Sequence, residues 1–208
     1  MLTTPAKAVG RPRNPAIDAA VLAATRAALE EQGFSGATIQ EVARRTGVHP
    51  PAIYRRWPNR ISLVEDAVWS EVVEVPIEPT GKLRADLLRL LTAFEAMLDR
   101  PAARAAIPGL LAAYHSGRLE LPVDRWAHLS IRPQLDAILR AAAPEELDPG
   151  VDVDELWDLL LGAMLARIVI PPLSAPRRPL EQIVGLIVRI LRPEPTPNGG
   201  DLEGSRTR

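Results

Sequence analysis

Apolar positions recur three and four apart along most of the chain, and the polar breaks between these runs mark it out as a series of helices. Ile17, Val21, Ala24, Ala28 and Leu29 form the first stripe, with Asn14 placed to cap it, Pro15 suited to its first turn and Gly33 at its end. Thr38 and Glu41 make a Thr-x-x-Glu capping pattern, and Ile39, Val42 and Ala43 follow at helical spacing. Gly47 suits a sharp stop, because glycine takes positive φ at little cost. Pro50 and Pro51 belong in the first turn of a third helix over 50–57. That helix turns Ile53 and Trp57 inward and leaves His49, Pro50, Ala52, Tyr54 and Arg55 on its outer side. Phe34 is expected to plug the small core shared with Ile39, Val42, Val48, Ile53 and Trp57. Asn59 should cap a fourth helix running to Val73, with Leu63, Val64, Ala67 and Val68 inward.

Pro76, Pro79 and Gly81 interrupt the pattern and place a domain boundary near 75–80. Beyond it, residues 82–98 put Leu83, Leu87, Leu90, Leu91, Phe94 and Leu98 on one face. The alanine-rich helix over 102–116 contains Pro108, which must kink or split it. A broken stretch carries Trp126 and His128, and Pro133 then opens a helix through Leu135, Ile138 and Leu139. Asp152 and Glu155 suit the N-cap and third position of a helix that is apolar nearly all round, and a last apolar helix covers 180–191. Gly162 costs about 1 kcal/mol relative to alanine in mid-helix, which close helix packing would offset. These two helices carry more apolar surface than one fold covers from a single side. Trp157, Leu160, Leu161, Met164, Ile168, Ile183, Ile187 and Ile190 are therefore expected at a four-helix interface between two copies. The predicted fold is all-α. An N-terminal three-helix head with a helix-turn-helix, at 14–75, carries a C-terminal helical ligand-binding and dimerisation body at 80–192. Residues 1–13 form a disordered basic arm and residues 193–208 a disordered tail.

Composition narrows the function. The 208 residues are 47% hydrophobic, enough for a real core, and contain no cysteine, which excludes disulfides and thiolate metal sites. The first residues lack the apolar centre of a signal peptide, and the longest apolar run, 159–170, contains Arg167 and is too short to cross a bilayer. A soluble cytoplasmic protein without a membrane partner is expected. Charge is near neutral, at −1, but uneven. Residues 1–60 hold nine Lys/Arg against four acids, +5, leaving 16 bases and 22 acids, −6, for the rest. A basic head on an acidic body fits a head that meets a polyanion.

Two helices joined by a short turn containing glycine make a helix-turn-helix pattern. Arg44, Arg45, Arg55, Arg56 and Arg60 fall within seventeen positions, which points to double-stranded DNA, with the second helix in the major groove and the cations on phosphates. The plainer alternative is a solvated basic face on a helical hairpin. Lys7, Arg11 and Arg13 are open to two readings as well, a frayed terminus or an arm reaching phosphates and the minor groove.

Catalytic chemistry has little support. His49, His115 and His128 form no His-x-x-x-His pair, and no glycine-rich phosphate loop or Gly-x-Ser-x-Gly occurs. No enzyme activity, metal or cofactor is expected. Phe94, Met97, Leu110, Leu111, Tyr114, His115, Trp126, Leu135, Leu139 and Trp157 are instead either ordinary core or the lining of a pocket for a small apolar effector, with Pro108 and Pro133 loosening the packing.

Residues 11–70 resemble the DNA-binding domain of the tetracycline-repressor (TetR) family. The resemblance rests on Gly10-Arg-Pro-Arg13, Glu31-Gln-Gly-Phe34, Thr38-Ile-Gln-Glu-Val-Ala43, Thr46-Gly-Val48, Ile53-Tyr-Arg-Arg-Trp57 and Pro58-Asn-Arg60 followed by Leu63-Val64. Arg56-Trp57 stands where many members carry His-Phe, and Asn59-Arg60 where many carry Ser-Lys. The resemblance implies a homodimeric transcriptional regulator, expected to be a repressor, on a palindromic operator. It implies that Tyr54 and Arg60 grip phosphates, that Thr38 lies at the groove edge and that the body holds an effector pocket. His49, Ala52 and Arg55 are the candidates for base edges. The alternative reading is a helical ligand-binding or adaptor protein whose basic head serves another partner.

Overall fold

A computed structural model describes residues 15–69, 77–116, 131–170 and 178–193. Asn14, the N-terminal arm, Val73, Trp126, His128 and the C-terminal tail lie outside these residues. The described residues are helical, with no strand among them. They comprise α1 (Pro15–Gly36), α2 (Ile39–Thr46), α3 (Pro50–Tyr54), α4 (Arg60–Trp69), α5 (Leu83–Leu98), α6 (Pro101–His115), α7 (Arg132–Ala141), α8 (Val153–Val169) and α9 (Leu180–Ile190). The chain separates into two units, residues 1–70 with 101–119, and residues 71–100 with 120–208.

In the first unit, Val21, Ile39, Val42, Ile53, Trp57 and Leu63 make one core, flanked by Ile17, Leu22, Ala24, Ala43 and Val48. Gly33 breaks the regular turn of α1 with φ 69°, a conformation that costs glycine least. Trp57 is buried, and its Nε1 donates a 2.7 Å hydrogen bond to Asp66 Oδ2, tying the end of the α3 segment to α4. Asn59 caps α4, its Oδ1 accepting from the Ser62 amide at 2.9 Å.

Phe34 departs from the expected position. It is not in that core but lies against α6, where a Cβ on Gly109 would come within 2.1 Å of its ring. Only a residue without a side chain lets α6 approach here. With this contact, α6 belongs to the head's unit rather than to the body, where its sequence position placed it. It runs through Pro108 as one segment; Pro108 is exposed, while Ala102, Ala103, Ala106, Ile107 and Leu110 are buried. The Tyr114 hydroxyl donates to buried Glu65 at 2.7 Å, joining α6 to α4.

In the second unit α5 is central and packs on α7, α8 and α9. Its Leu83, Leu87, Leu90 and Leu91 are fully buried. Asp86, also fully buried, accepts from the Thr80 amide at 2.8 Å and its hydroxyl at 2.7 Å, and pairs with Arg89. Burial opposes ionisation of Asp86, but the Thr80 and Arg89 bonds outweigh it and hold the carboxyl below its ordinary range. Asp152 caps α8 through the Asp154 and Glu155 amides.

The apolar faces of α8 and α9 point differently from the sequence expectation. Leu160, Met164, Ile168 and Ile187 are buried in the protomer's own core, and Trp157, Leu161 and Ile183 are half-buried. Of the expected interface set, only Ile190 is largely exposed, at 64%. The uncovered face is Leu159, Gly162, Ala166 and Val169 on α8, with Leu186 and Ile190 on α9. Helix α8 is apolar on nearly every side, and α9, although Glu181, Gln182 and Arg189 share one side of it, has an apolar arc broad enough to face two ways, so periodicity could not tell the inward stripe from the outward one.

Candidate nucleic-acid interface

The α2–turn–α3 geometry follows from its caps. Thr38 Oγ1 accepts from the Glu41 amide at 3.1 Å and starts α2. Gly47 closes it at φ 68°, its amide donating to the Ala43 carbonyl at 2.9 Å. Val48 is half-buried, and Pro50 and Pro51 open α3 without losing a helical hydrogen bond. Helix α3 ends at Tyr54, shorter than the pattern implied, but the Arg56 and Trp57 amides both reach the Ile53 carbonyl at 2.9 Å and carry the turn on to Trp57. With Ile53 buried, the outer side holds exposed His49, Tyr54 and Arg55, with Pro50 and Ala52 half-buried between them and Thr38 half-buried at the start of α2.

The capping box is only half formed. The Thr38 amide donates to the Gly36 carbonyl at 2.8 Å, and the Glu41 carboxylate turns away from it. Glu41 instead accepts from Arg44 Nε and Nη2 at 2.8 and 2.7 Å, from Arg45 Nε at 2.7 Å and from Gln32 at 3.2 Å. Arg45 reaches back to Glu31 on α1 at 2.7 Å. Arg44 and then Arg45 hold the Glu41 carboxyl down at about 2, and Arg45 lowers Glu31. Arg44 and Arg45, expected on phosphates, are thus engaged with α1 and α2 carboxylates, Arg45 with little exposed surface.

Arg60 is likewise turned inward. Its Nη2 donates to the Phe34 carbonyl at 2.6 Å, and its guanidinium lies 4.1 Å from the Phe34 ring centroid. Burial lowers its pKa. Arg56 pairs with Asp18 of α1, and Arg26 donates to the Ala67 carbonyl at 3.0 Å. Six arginines and six carboxylates lie within residues 15–69. Five of those arginines have protein partners, and Arg55 is the one without such a partner among the described residues. Sequence reasoning singled out the basic residues but not their acceptors Asp18 and Glu31, because neither spacing nor composition announces a pairing across fourteen or more positions.

Of the residues proposed to line an effector pocket, Leu110, Tyr114, Leu111 and His115 lie on α6 in the first unit. Leu110 is buried there, Leu111 and His115 are exposed, and Tyr114 is engaged with Glu65. Phe94, Met97, Leu135 and Leu139 are buried in the second unit, where the Phe94 and Trp157 rings pack tilted with centroids 5.6 Å apart. Trp126 lies outside the described residues.

A capped helix-turn-helix with an outward α3 face, among described residues that form helices and no strand, defines a DNA-binding regulator of the helix-turn-helix class. Residues 21–67 match the profile of bacterial regulatory proteins of the tetR family, and residues 77–187 match the tetracyclin repressor-like C-terminal domain. The chain belongs to the TetR family of transcriptional regulators. It is 31% identical over 156 residues to the HTH-type transcriptional regulator Rv1556 of Mycobacterium tuberculosis, covering 73% of this chain and 75% of that protein. It is 28% identical to the HTH-type transcriptional regulator AqdR of Rhodococcus erythropolis, over 70% of each chain. Among solved structures, the TetR family transcription regulator SCO0332 superposes with a TM-score of 0.64 at 30% identity, covering 85% of this chain and 99% of that one. Among the described residues, no helix is long and apolar enough to cross a membrane.

Proposed function

We propose that this regulator is a homodimeric, ligand-responsive repressor that reads a palindromic operator with α3. The observation that carries the DNA placement is the division of the 49–57 segment, with Ile53 and Trp57 buried and His49, Tyr54 and Arg55 exposed. Arg55, His49 and Ala52 meet base edges in the major groove, and Tyr54 and Thr38 hold the flanking backbone through their hydroxyls. Dimerisation rests on the uncovered apolar face of Leu159, Val169, Leu186 and Ile190, which would sit across a two-fold axis from its copy. Such a dimer spaces its two α3 helices roughly 34–36 Å apart, one turn of DNA. A small apolar effector acts by binding better to a form that does not fit the operator, and a coupling of about 1–3 kcal/mol would weaken DNA binding roughly 5–150-fold. An apolar, ring-containing effector in the second unit would have to part the Phe94 and Trp157 rings, which pack on one another.

The test is a gel shift at several salt concentrations, using palindromic duplexes from the flanks of the protein's own coding region and shuffled controls. The proposal expects tight, half-site-spacing-dependent binding to one palindrome. Equal binding to every duplex at all salt concentrations would leave only non-specific adhesion.

A further inference from the structure

The second unit carries a groove that the DNA-reading function does not use. It lies between α5 and α9, has a volume of about 690 Å³, and is lined by Arg84, Arg178, Arg189 and Arg192 with Glu146 and Glu181. Volumes of roughly 300–1,000 Å³ are those of small-molecule sites. Four arginines border it although residues 61–208 carry a net charge of −6. Of the two carboxylates, Glu146 is engaged with the Leu83 amide at 3.1 Å. Exposed Arg178, Arg189 and Arg192 have no side-chain partner among the described residues.

One of the four is held in place. Arg84 Nη2 donates to the Glu181 carbonyl at 3.3 Å, which lays its guanidinium along α9. A Cβ on Gly185 would stand 3.0 Å from Arg84 Nη1, so the glycine leaves the space that the guanidinium takes. Leu186 and Val188 add an apolar stretch to the same groove. Four arginines against two carboxylates leave the concavity net positive, which favours an anion, and guanidinium forks suit phosphate oxygens in particular.

We propose that this groove binds a small phosphorylated molecule, its phosphate held by Arg84, Arg189 and Arg192. The proposal does not depend on the DNA placement or on the effector reading. It is tested by isothermal titration of the full-length, DNA-free protein with inorganic pyrophosphate at low ionic strength, alongside Arg84→Gln, Arg189→Gln, Arg192→Gln and, as an equal charge loss elsewhere, Arg140→Gln on α7. The expected result is one saturable site per chain, with Kd raised about tenfold or more in Arg189→Gln and Arg192→Gln. Arg84→Gln should raise it as well, and Arg140→Gln should not. The arginine substitutions are at exposed positions, so circular dichroism should show them folded. No saturable heat up to about 10 mM pyrophosphate, or an equal loss in Arg140→Gln, would overturn the proposal.

Discussion

The guanidinium of Arg60 lies 4.1 Å from the ring centroid of Phe34 and donates a 2.6 Å hydrogen bond to that residue's carbonyl. The cation that by family resemblance would hold a phosphate is thereby used to fasten the start of α4 to the end of α1. Phe34 in turn rests on Gly109 of α6, so one arginine organises three elements of the same unit.

Arg60→Ala should therefore lower thermal stability. The lost charged hydrogen bond is worth about 1.5–3 kcal/mol and the cation–π contact about 0.5–2 kcal/mol. If Arg60 holds no phosphate, the salt dependence of operator binding should stay unchanged in protein that remains folded. A slope of log K against log salt reduced by about one would return Arg60 to the phosphate backbone.

Arg55 behaves oppositely. It is exposed at the end of α3 and has no protein partner among the described residues, so Arg55→Ala should leave the melting temperature near that of wild type. As a reader of a base edge, its loss should cost about 1–3 kcal/mol of operator affinity and relax preference at one base pair in each half-site. A panel of single-base operator variants checks this. Uniform weakening across the panel would make Arg55 a phosphate contact instead.

Much of the head was legible because its signals are local. The Thr38 cap, the Gly47 stop, Pro50 at the start of α3 and the inward Ile53 and Trp57 all follow from residues within one or two turns of each other. What was not legible depends on partners distant in sequence. Glu41 fits a capping box, yet two arginines compete for its carboxylate with stronger, charge-assisted bonds and win it. Phe34 looks like core by composition, and only the missing side chain of Gly109, 75 positions on, shows where it goes. The split of α8 and α9 into inner and outer faces was hidden for another reason, since α8 is apolar on almost all sides and the apolar arc of α9 is broad enough to cover both its buried and its exposed positions.

The Glu41 cluster predicts how the head responds to acid. Arg44 and Arg45 lower the Glu41 carboxyl from its ordinary 4.5 to about 2 in the folded state. A depressed carboxyl contributes stability that is fully present above the unfolded value and is lost as pH falls through the folded one. The loss from Glu41 should accordingly fall between pH 4.5 and about 2, with Glu31, also lowered by Arg45, adding to it in the same direction. Glu41→Gln should melt lower than wild type at neutral pH, and the difference should shrink as pH is taken down through that window. Parallel melting curves for the two proteins from pH 7 to pH 2 would show that the cluster does not stabilise the head.

The proposed dimer face makes the sharpest contrast between neighbouring residues. Leu186 is 53% exposed, whereas adjacent Ile187 is 6% exposed and packed within the protomer. Leu186→Glu should give a folded monomer by sedimentation, because its charge remains in water once the copy is gone. Ile187→Glu should unfold the protein, because it buries an unpaired charge. Gly162 separates protomer stability from assembly. A Cβ there meets nothing within 4 Å in the protomer, so Gly162→Ala has room and should firm α8 by up to about 1 kcal/mol. Gly162 sits between Leu159 and Ala166 on the same uncovered face, where helices of two copies can approach closely only if that position is small. Gly162→Leu should therefore leave helicity intact while weakening the dimer at least as much as Leu186→Glu does. If Gly162→Leu and Leu186→Glu both remain dimeric at micromolar concentration, with helix content and melting unchanged, the two-fold axis does not pass through this face and the copies must meet elsewhere.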